Sequence, residues 1–486
     1  MRAISGSGNF TDYIDFSVYD ASEVPGEDRG EESDSAPSSA HSIPDAEAVE
    51  SEKDAMKSKL GLWLILGCWL GLLVQPAWAD GIERDGIGAI PIGRGGNNVA
   101  SFDNGVIIYD NPAGMANIQS RGLAEVGADG LFTNLSFNSP LNDHANSRQT
   151  PWALPFLSFI QRSEDGKFAY GVGLFAPAGF GSDWKIDSPL LGLQRYKSIG
   201  AQIDILPALA YHVTDRLSIG ANVGPGITYA QLTGPFVLQT GTLQGTPALM
   251  NLHATGVTAA WSVGLQYLLG ERTTLGLSYI AQQRYNLHGD AQVEVEKISF
   301  LPVSVYSRFN ADVDVTFPRS LSGGITHAFG EQMQHIGMLQ LMWFDWKDAF
   351  NNIGLRLTDS SNSLVPLLAG PAIQDRFPLN WMSTISVRLG YEYHLDWSQV
   401  FRCGFVYHPN PIPNQTLTPY IPATLMYAVS AGYSKQWNNW ALNIAYQYNF
   451  GAEQSVAQSA LVGGDFNNSS IGAQANWLSL SVMYRY

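Results

Sequence analysis

The chain has 486 residues, of which 45% are hydrophobic and only 14% charged, and its formal net charge is −16 at pH 7. Soluble proteins average about 25% charged residues, so the deficit points away from an ordinary water-exposed surface. An acidic chain with no basic cluster also argues against a nucleic-acid partner.

Residues 1–55 hold 14 acids and 3 bases, a net of −11, with few large apolar side chains. Such a stretch cannot bury enough surface to fold. Two readings stay open: translation begins at Met56, or the stretch is a disordered acidic extension. Met56 to Lys59 is a short basic start, Leu60 to Val74 is almost wholly apolar, and Ala77, Trp78 and Ala79 precede Asp80. This is the layout of a signal peptide over 56–79, cleaved after Ala79. The apolar run is shorter than the ~20 residues a membrane-spanning helix needs. Cleavage leaves a net of −7 for residues 80–486 and Cys403 as the remaining cysteine, so no internal disulfide can form. Export places the chain outside the cytoplasm.

Residues 80–121 do not read as strands. They are dense in glycine (Gly81, Gly86, Gly88, Gly93, Gly95, Gly96, Gly105, Gly114) and contain Asn97, Asn98 and the run Asn111 to Met115. Pro112 removes a ladder donor and fixes a bend. The glycine spacing matches neither a Walker loop nor GxGxxG. The segment reads as a compact plug or as a flexible periplasmic tail.

From 122 to 486 the pattern is strand, long connection, strand, short turn. Ser163–Gly166, Thr214–Asp215, Gly270–Glu271, Gly330–Gln334, Leu395–Ser398 and Asn438–Asn439 carry the residues tight turns require. Longer connections are predicted near 139–151, 181–199, 234–252, 288–307, 348–378, 409–423 and 451–473. Between them fall fourteen predicted strands: 123–138, 152–162, 167–180, 200–213, 216–233, 253–269, 272–287, 308–329, 335–347, 379–394, 399–408, 424–437, 440–450 and 474–486. Long and short connections alternate strictly. Bacterial outer-membrane barrels have even strand numbers, short periplasmic turns and long outer loops. After residue 79 no stretch approaches ~18 consecutive apolar residues, so a closed barrel is the remaining route through a membrane. The expected fold is an all-β transmembrane antiparallel β-barrel of 14 strands in a Gram-negative outer membrane, with both termini periplasmic.

The strand faces agree. In 379–394, Trp381, Ile385, Val387, Leu389, Tyr391 and Tyr393 share one face; Met382, Thr384, Ser386, Arg388, Glu392 and His394 share the other. Strand 335–347 is apolar on both faces, which suits a plugged lumen or a path for hydrophobic molecules better than a water-filled pore. The terminal strand places Leu478, Leu480, Val482, Tyr484 and Tyr486 on one face, with Met483 the one soft residue opposite.

Spread over residues 80–486, several pieces together resemble the FadL/TodX family of outer-membrane transporters for long-chain fatty acids and other hydrophobic compounds. They are Asn111 to Met115, Gly171 to Gly181 with Trp184, Leu206 to Tyr211, Leu217 to Gly220, Phe317 to Gly324, Trp343 to Trp346 and Val387 to Tyr393. The resemblance implies a barrel closed by an N-terminal hatch, with Asn111, Pro112 and Ala113 in the hatch. It also implies a break in the third strand that opens the wall, which Pro177 and Gly179 suit; the plainer reading is that Pro177 ends the strand.

Apolar residues in the third and fourth outer loops, Phe236, Leu238, Met250, Phe300 and Leu301, are candidates for a cargo path. Arg388 either meets a carboxylate in the lumen or pairs with Glu392. The implied partners are long-chain fatty acids or aromatic hydrocarbons, outer-membrane lipid and lipopolysaccharide, and the outer-membrane assembly machinery, with the chain a monomer. No cofactor or metal is implied. Neither Gly-x-Ser-x-Gly nor His-Glu-x-x-His occurs, so no enzyme is expected. The rival readings are a general diffusion porin and a structural or adhesin barrel.

Overall fold

Period-two alternation from Gly122 onward builds strands with one face for lipid and one for the interior. The computed structural model describes residues 81–241, 243–295 and 304–486; the expected acidic segment and signal peptide lie outside the described residues. The strands are β1 (Gly122–Ser139), β2 (Asn142–Asn146), β3 (Trp152–Arg162), β4 (Phe168–Phe175), β5 (Gly179–Ser188), β6 (Gly192–His212) and β7 (Leu217–Val237). Next come β8 (Pro247–Leu268), β9 (Thr273–Ile280), β10 (Gln283–Val295), β11 (Val305–Phe317), β12 (Ser320–Phe329), β13 (His335–Phe344), β14 (Asn352–Thr358) and β15 (Ala372–Pro378). The last are β16 (Thr384–Asp396), β17 (Gln399–Tyr407), β18 (Tyr427–Trp437), β19 (Trp440–Phe450), β20 (Gln454–Val456) and β21 (Ser469–Arg485).

Fourteen positions close an antiparallel ring: β1, β3, β4, β6, β7, β8, β9 with β10, β12 with β11, β13, β16, β17, β18, β19 and β21. The seam joins the two ends of the barrel sequence, with Leu123 opposite Arg485 and Asn138 opposite Ser470. The outer face is apolar and open: Val257 is 66% exposed and Leu209 65%. The inner face is covered and mixed: Ser479, Ser386 and Gln266 are fully buried, and so are apolar residues such as Phe156 and Leu287.

Several predicted loops carry strand, among them 234–252, where β7 runs to Val237 and β8 starts at Pro247. β5 and β6 pair through 181–199, β10 and β11 run deep into 288–307, and β14 pairs with β15 inside 348–378. The cause is visible on β10 and β11. Within the stretch read as loop, inward Ala291 and Val305 are buried, but outward stand His288, Asp290, Gln292 and Glu294. These strands continue past the lipid into water, so their outer faces are polar and mimic loop composition. Trp381 also departs from its expected outward face. It lies before β16, buried against Trp346 and Phe350 with ring centroids 4.9 and 4.7 Å away.

Residues 81–121 sit inside the ring. Ile87, Ile90, Val106, Ile107, Ile108 and Met115 are buried against inward side chains of the wall, including Phe156, Ile160, Leu206 and Met483. The soft residue of the terminal strand therefore packs on this luminal segment. A second apolar cluster, built on Trp184, Leu252, Phe309, Phe317, Phe344 and Trp346, fills the other half of the interior.

Candidate functional site

The luminal segment is seated by close backbone contact. Asn111 caps the helical turn Pro112–Asn117, its Oδ1 accepting from the Ala113 amide at 3.2 Å. Its Nδ2 donates to the carbonyls of Val99 at 2.6 Å and Leu265 at 3.1 Å. Beneath it Gly220 of β7 and Gly264 of β8 are register partners. A Cβ on Gly264 would collide with Asn111 Oδ1, and one on Gly220 with the backbone of Pro112 and Ala113. Across the barrel Gly404 and Gly432 receive Gly95 and Gly93 in the same way.

Polar inward residues are spent on the same segment. Buried Arg94 donates to Glu392 Oε1 at 2.8 Å, to both Asp103 oxygens at 3.0 Å and to Asn98 Oδ1 at 2.5 Å. Arg402 Nε also donates to Glu392 Oε1, at 2.8 Å. Arg84 pairs with Asp129 at 2.5 Å, Gln447 and Asn449 donate to Asp85 at 2.8 and 2.6 Å, and the Gly105 amide donates to Glu125 at 2.8 Å. Within the segment, burial opposes ionisation of Asp103, but the Arg94 guanidinium prevails and holds its pKa below the usual value. Burial pushes Asp110 the other way, to about 6, against the stabilising donation from Asn98 Nδ2 at 2.5 Å.

The third wall position is interrupted. β4 ends at Phe175 and β5 begins at Gly179, leaving Ala176, Pro177 and Ala178 between them. β3 pairs with β4 from Leu157 onward, whereas β5 pairs with β6. Among the described residues no ladder joins Trp152–Phe156 of β3 to β5. The luminal segment occupies the break: Glu83 bridges Ala178, Arg84 N donates to Pro177 O at 3.1 Å, and Gly179 N donates to Ile82 O at 3.1 Å.

Three apolar cavities adjoin one another. A groove of about 200 Å³ at the loop end is lined by Phe236, Leu238, Met250, Val293, Phe309 and Leu355. A second cavity of about 110 Å³ shares Phe236, Met250 and Leu355 with it and adds Leu252, Phe317 and Phe350. The third, about 250 Å³, shares Phe180, Ile199 and Gly200 with the second. It reaches the wall break at Ala178 and Gly179, taking in inward Leu135 as well as outward Pro155 and Ile203.

The structure thus brings Phe236, Leu238 and Met250 together in the groove and sets Pro177 and Gly179 at the break. Phe300 and Leu301 lie outside the described residues. Arg388 is buried below the cavities, its Nη1 donating to the Asp85 carbonyl at 2.5 Å, while Glu392 is engaged by Arg94 and Arg402. Sequence reasoning missed Phe180, the β14–β15 side of the groove at Leu355 and Ile373, and the wall glycines. Glycine inside a strand marks close backbone approach, so Gly220, Gly264, Gly404 and Gly432 were findable.

Residues 72–486 match the family described as outer membrane protein transport protein (OMPP1/FadL/TodX). A search of curated protein sequences finds no match. Among solved structures, a FadL homologue of Pseudomonas aeruginosa is similar at 18% identity and a TM-score of 0.67, over 83% of this chain and 99% of that one. The toluene transporter TbuX of Ralstonia pickettii aligns at 19% identity and a TM-score of 0.64 over the same shares. The toluene transporter TodX of Pseudomonas putida aligns at 19% and 0.66, again over 83% and 99%. At these identities the likeness is one of fold.

Proposed function

This chain belongs to the OMPP1/FadL/TodX family of outer-membrane transport proteins, and from that premise we propose that it is a passive channel for hydrophobic compounds with a lateral exit. The observation that carries this reading is the row of three adjoining apolar cavities, from the loop-end groove to the break at Ala176–Ala178. Each CH₂ moved out of water is stabilised by about 0.8 kcal/mol, so an apolar solute moves along such a row without a pump and leaves sideways into lipid. Residues 80–121 act as a hatch that closes the lumen beneath the cavities, with Asn111, Pro112 and Ala113 as its seat. Pro177 and Gly179 frame the exit. Phe236, Leu238 and Met250 receive cargo.

Both long-chain fatty acids and aromatic hydrocarbons suit an apolar path. Among the described residues the first two cavities present no Lys or Arg, and the Arg84 that lines the third is already paired with Asp129, which favours an uncharged cargo over a carboxylate. In this reading residues 56–79 are a signal peptide and both termini face the periplasm. The barrel is a monomer, inserted by the assembly machinery into a membrane whose outer leaflet is lipopolysaccharide.

The test uses intact Gram-negative cells lacking their own channel, because their lipopolysaccharide layer is the barrier to be crossed. Expression should raise uptake of labelled toluene, while proteoliposomes of the purified protein should swell negligibly in small sugars. Fast swelling would establish a general porin and overturn the reading.

A further inference from the structure

An acidic protein carries a cationic patch at the outer ends of β5 and β6. Lys185 and Arg195 are register partners on these strands, as are Asp183 and Lys197. The Arg148 amide donates to the Asp183 carbonyl at 2.7 Å, which brings a further cation alongside. Arg148 and Lys185 are exposed, and the Arg195 side chain is 53% exposed. Arg195 is clamped on Asp183 by two hydrogen bonds of 2.7 Å, and Lys197 Nζ donates to Gln231 Oε1 at 3.1 Å. Arg148, Lys185, Arg195 and Lys197 outnumber the carboxylates Asp183 and Asp187 of β5, and Asp465 reaches only the tip at Ser188, so the patch stays positive although residues 80–486 carry −7.

Its depth is set by the strand below. The outward residues of β6 are Ile199, Ala201, Ile203, Ile205, Pro207, Leu209 and Tyr211, with no charged side chain among them. The twelve steps from Ile199 to Tyr211 along a tilted strand rise roughly 30 Å, close to the ~25 Å apolar band of such barrels. Lys197 is the next outward residue, followed by Arg195. Both therefore lie where lipid headgroups begin, at the end of the barrel away from the chain termini. Below them β5 and β6 also border the wall break.

We propose that Arg148, Lys185 and Lys197 form a binding site for the phosphates of a lipopolysaccharide headgroup, with Arg195 held as its scaffold by Asp183. The site rests on the outer-membrane placement with periplasmic termini given above. Lysine supplies a strong point charge to a phosphate and arginine a planar fork. The apolar residues from Ile199 downward receive the acyl chains of the same molecule, which free phosphate lacks. A lipid fixed here roofs the lateral opening, so cargo leaves beneath an ordered headgroup.

The experiment is lipid binding by the full-length purified barrel in detergent with EDTA, which removes divalent bridging through Asp183 and Asp187. The probes are bis-phosphorylated lipid A and its phosphate-free form, read by native mass spectrometry. The wild-type protein should prefer the phosphorylated lipid by at least about tenfold. The combined variant Arg148→Ala, Lys185→Ala, Lys197→Ala should lose that preference, whereas Arg216→Ala, at the β6–β7 turn, should keep it. Equal binding of the two lipids by wild type overturns the proposal even if the variant does not fold. So does an unchanged preference in a variant that still shows the gel shift of a folded barrel. No cargo is used, so failed transport and a failed lipid site give separate results.

Discussion

Glu83 and Ala178 form an antiparallel bridge between the luminal segment and the break in the third wall position. The start of the luminal segment and the proposed exit are thus one hydrogen-bonded unit, extended by Arg84 N to Pro177 O and Gly179 N to Ile82 O. Inward residues are odd-numbered up to Phe175 and even-numbered from Ser182 and Trp184. Deleting Ala176, Pro177 and Ala178 therefore preserves the alternation and lets β4 run on into β5, closing the wall. Hydrocarbon uptake by intact cells should fall to the level of cells without the channel. The barrel should still show the gel shift of a folded protein. Undiminished uptake would remove the lateral route.

The glycine pair under Asn111 gives a second expectation. Gly264→Ala forces a methyl group into Asn111 Oδ1, and overpacking of this kind costs about 1–3 kcal/mol. The cost falls on seating of the hatch, because the outer face of β8 is untouched. Hydrogen exchange should accelerate in residues 99–118 and stay slow in the β7–β8 ladder. Equal acceleration in both would mean that the glycine serves the wall and not the hatch.

Glu392 is shared by Arg94 of the luminal segment and Arg402 of β17. Losing the Glu392 charge leaves Arg94 and Arg402 facing Asp103 alone, so the cost stays below the about 3–5 kcal/mol of a buried pair broken outright. Glu392→Gln should loosen the luminal segment by part of that amount, measured by exchange of amides near Arg94. Arg94→Met combined with Glu392→Gln should be milder than the two single losses added together. Strict additivity would show that the two groups are not coupled.

Cargo contacts predict a graded effect. Phe236 and Met250 line both the first and second cavities. Burying such a side chain against an apolar partner contributes about 1.5–3 kcal/mol at most, so Phe236→Ala should weaken hydrocarbon binding by roughly tenfold, and by no more than about a hundredfold. Tryptophan quenching by a titrated hydrocarbon in detergent measures it. Leu367→Ala, on the exposed turn Leu364–Ala369, is the control and should bind normally.

Much of this was legible because a barrel strand declares itself locally. The terminal strand shows its face in alternate residues, and Leu478 and Leu480 do lie outward while Ser479 and Ser481 are covered. Arg388 and Glu392 could be placed on the inner face by the same period. Their partners could not, because Arg94 lies 298 residues from Glu392 and only ring closure brings them together. The outer ends of β10 and β11 were hidden for another reason. Water replaces lipid there, so His288, Asp290 and Glu294 stand where an apolar residue would have signalled a strand. The groove wall supplied by Leu355 and Ile373 depends on how the β14–β15 hairpin folds over, which no local pattern encodes.

Protonation supplies the last prediction. The Asp110 carboxyl is raised by burial from 3.8 to about 6. Between pH 4 and 6 the seated hatch therefore holds a proton that the released hatch does not. Its contribution to seating is full below about pH 4, falls as pH rises through 6, and is flat above. Asp103 acts in the opposite sense and in a different window: its pKa is depressed, so its stabilisation is lost only as the medium becomes more acidic than 3.8. Hatch protection, corrected for the intrinsic pH dependence of exchange, should decline from pH 4 to 6 in the wild type. Asp110→Asn should remove that decline, because the amide keeps the bond from Asn98 or its mirror and carries no charge to desolvate. A decline that persists in the variant would assign the proton to another group.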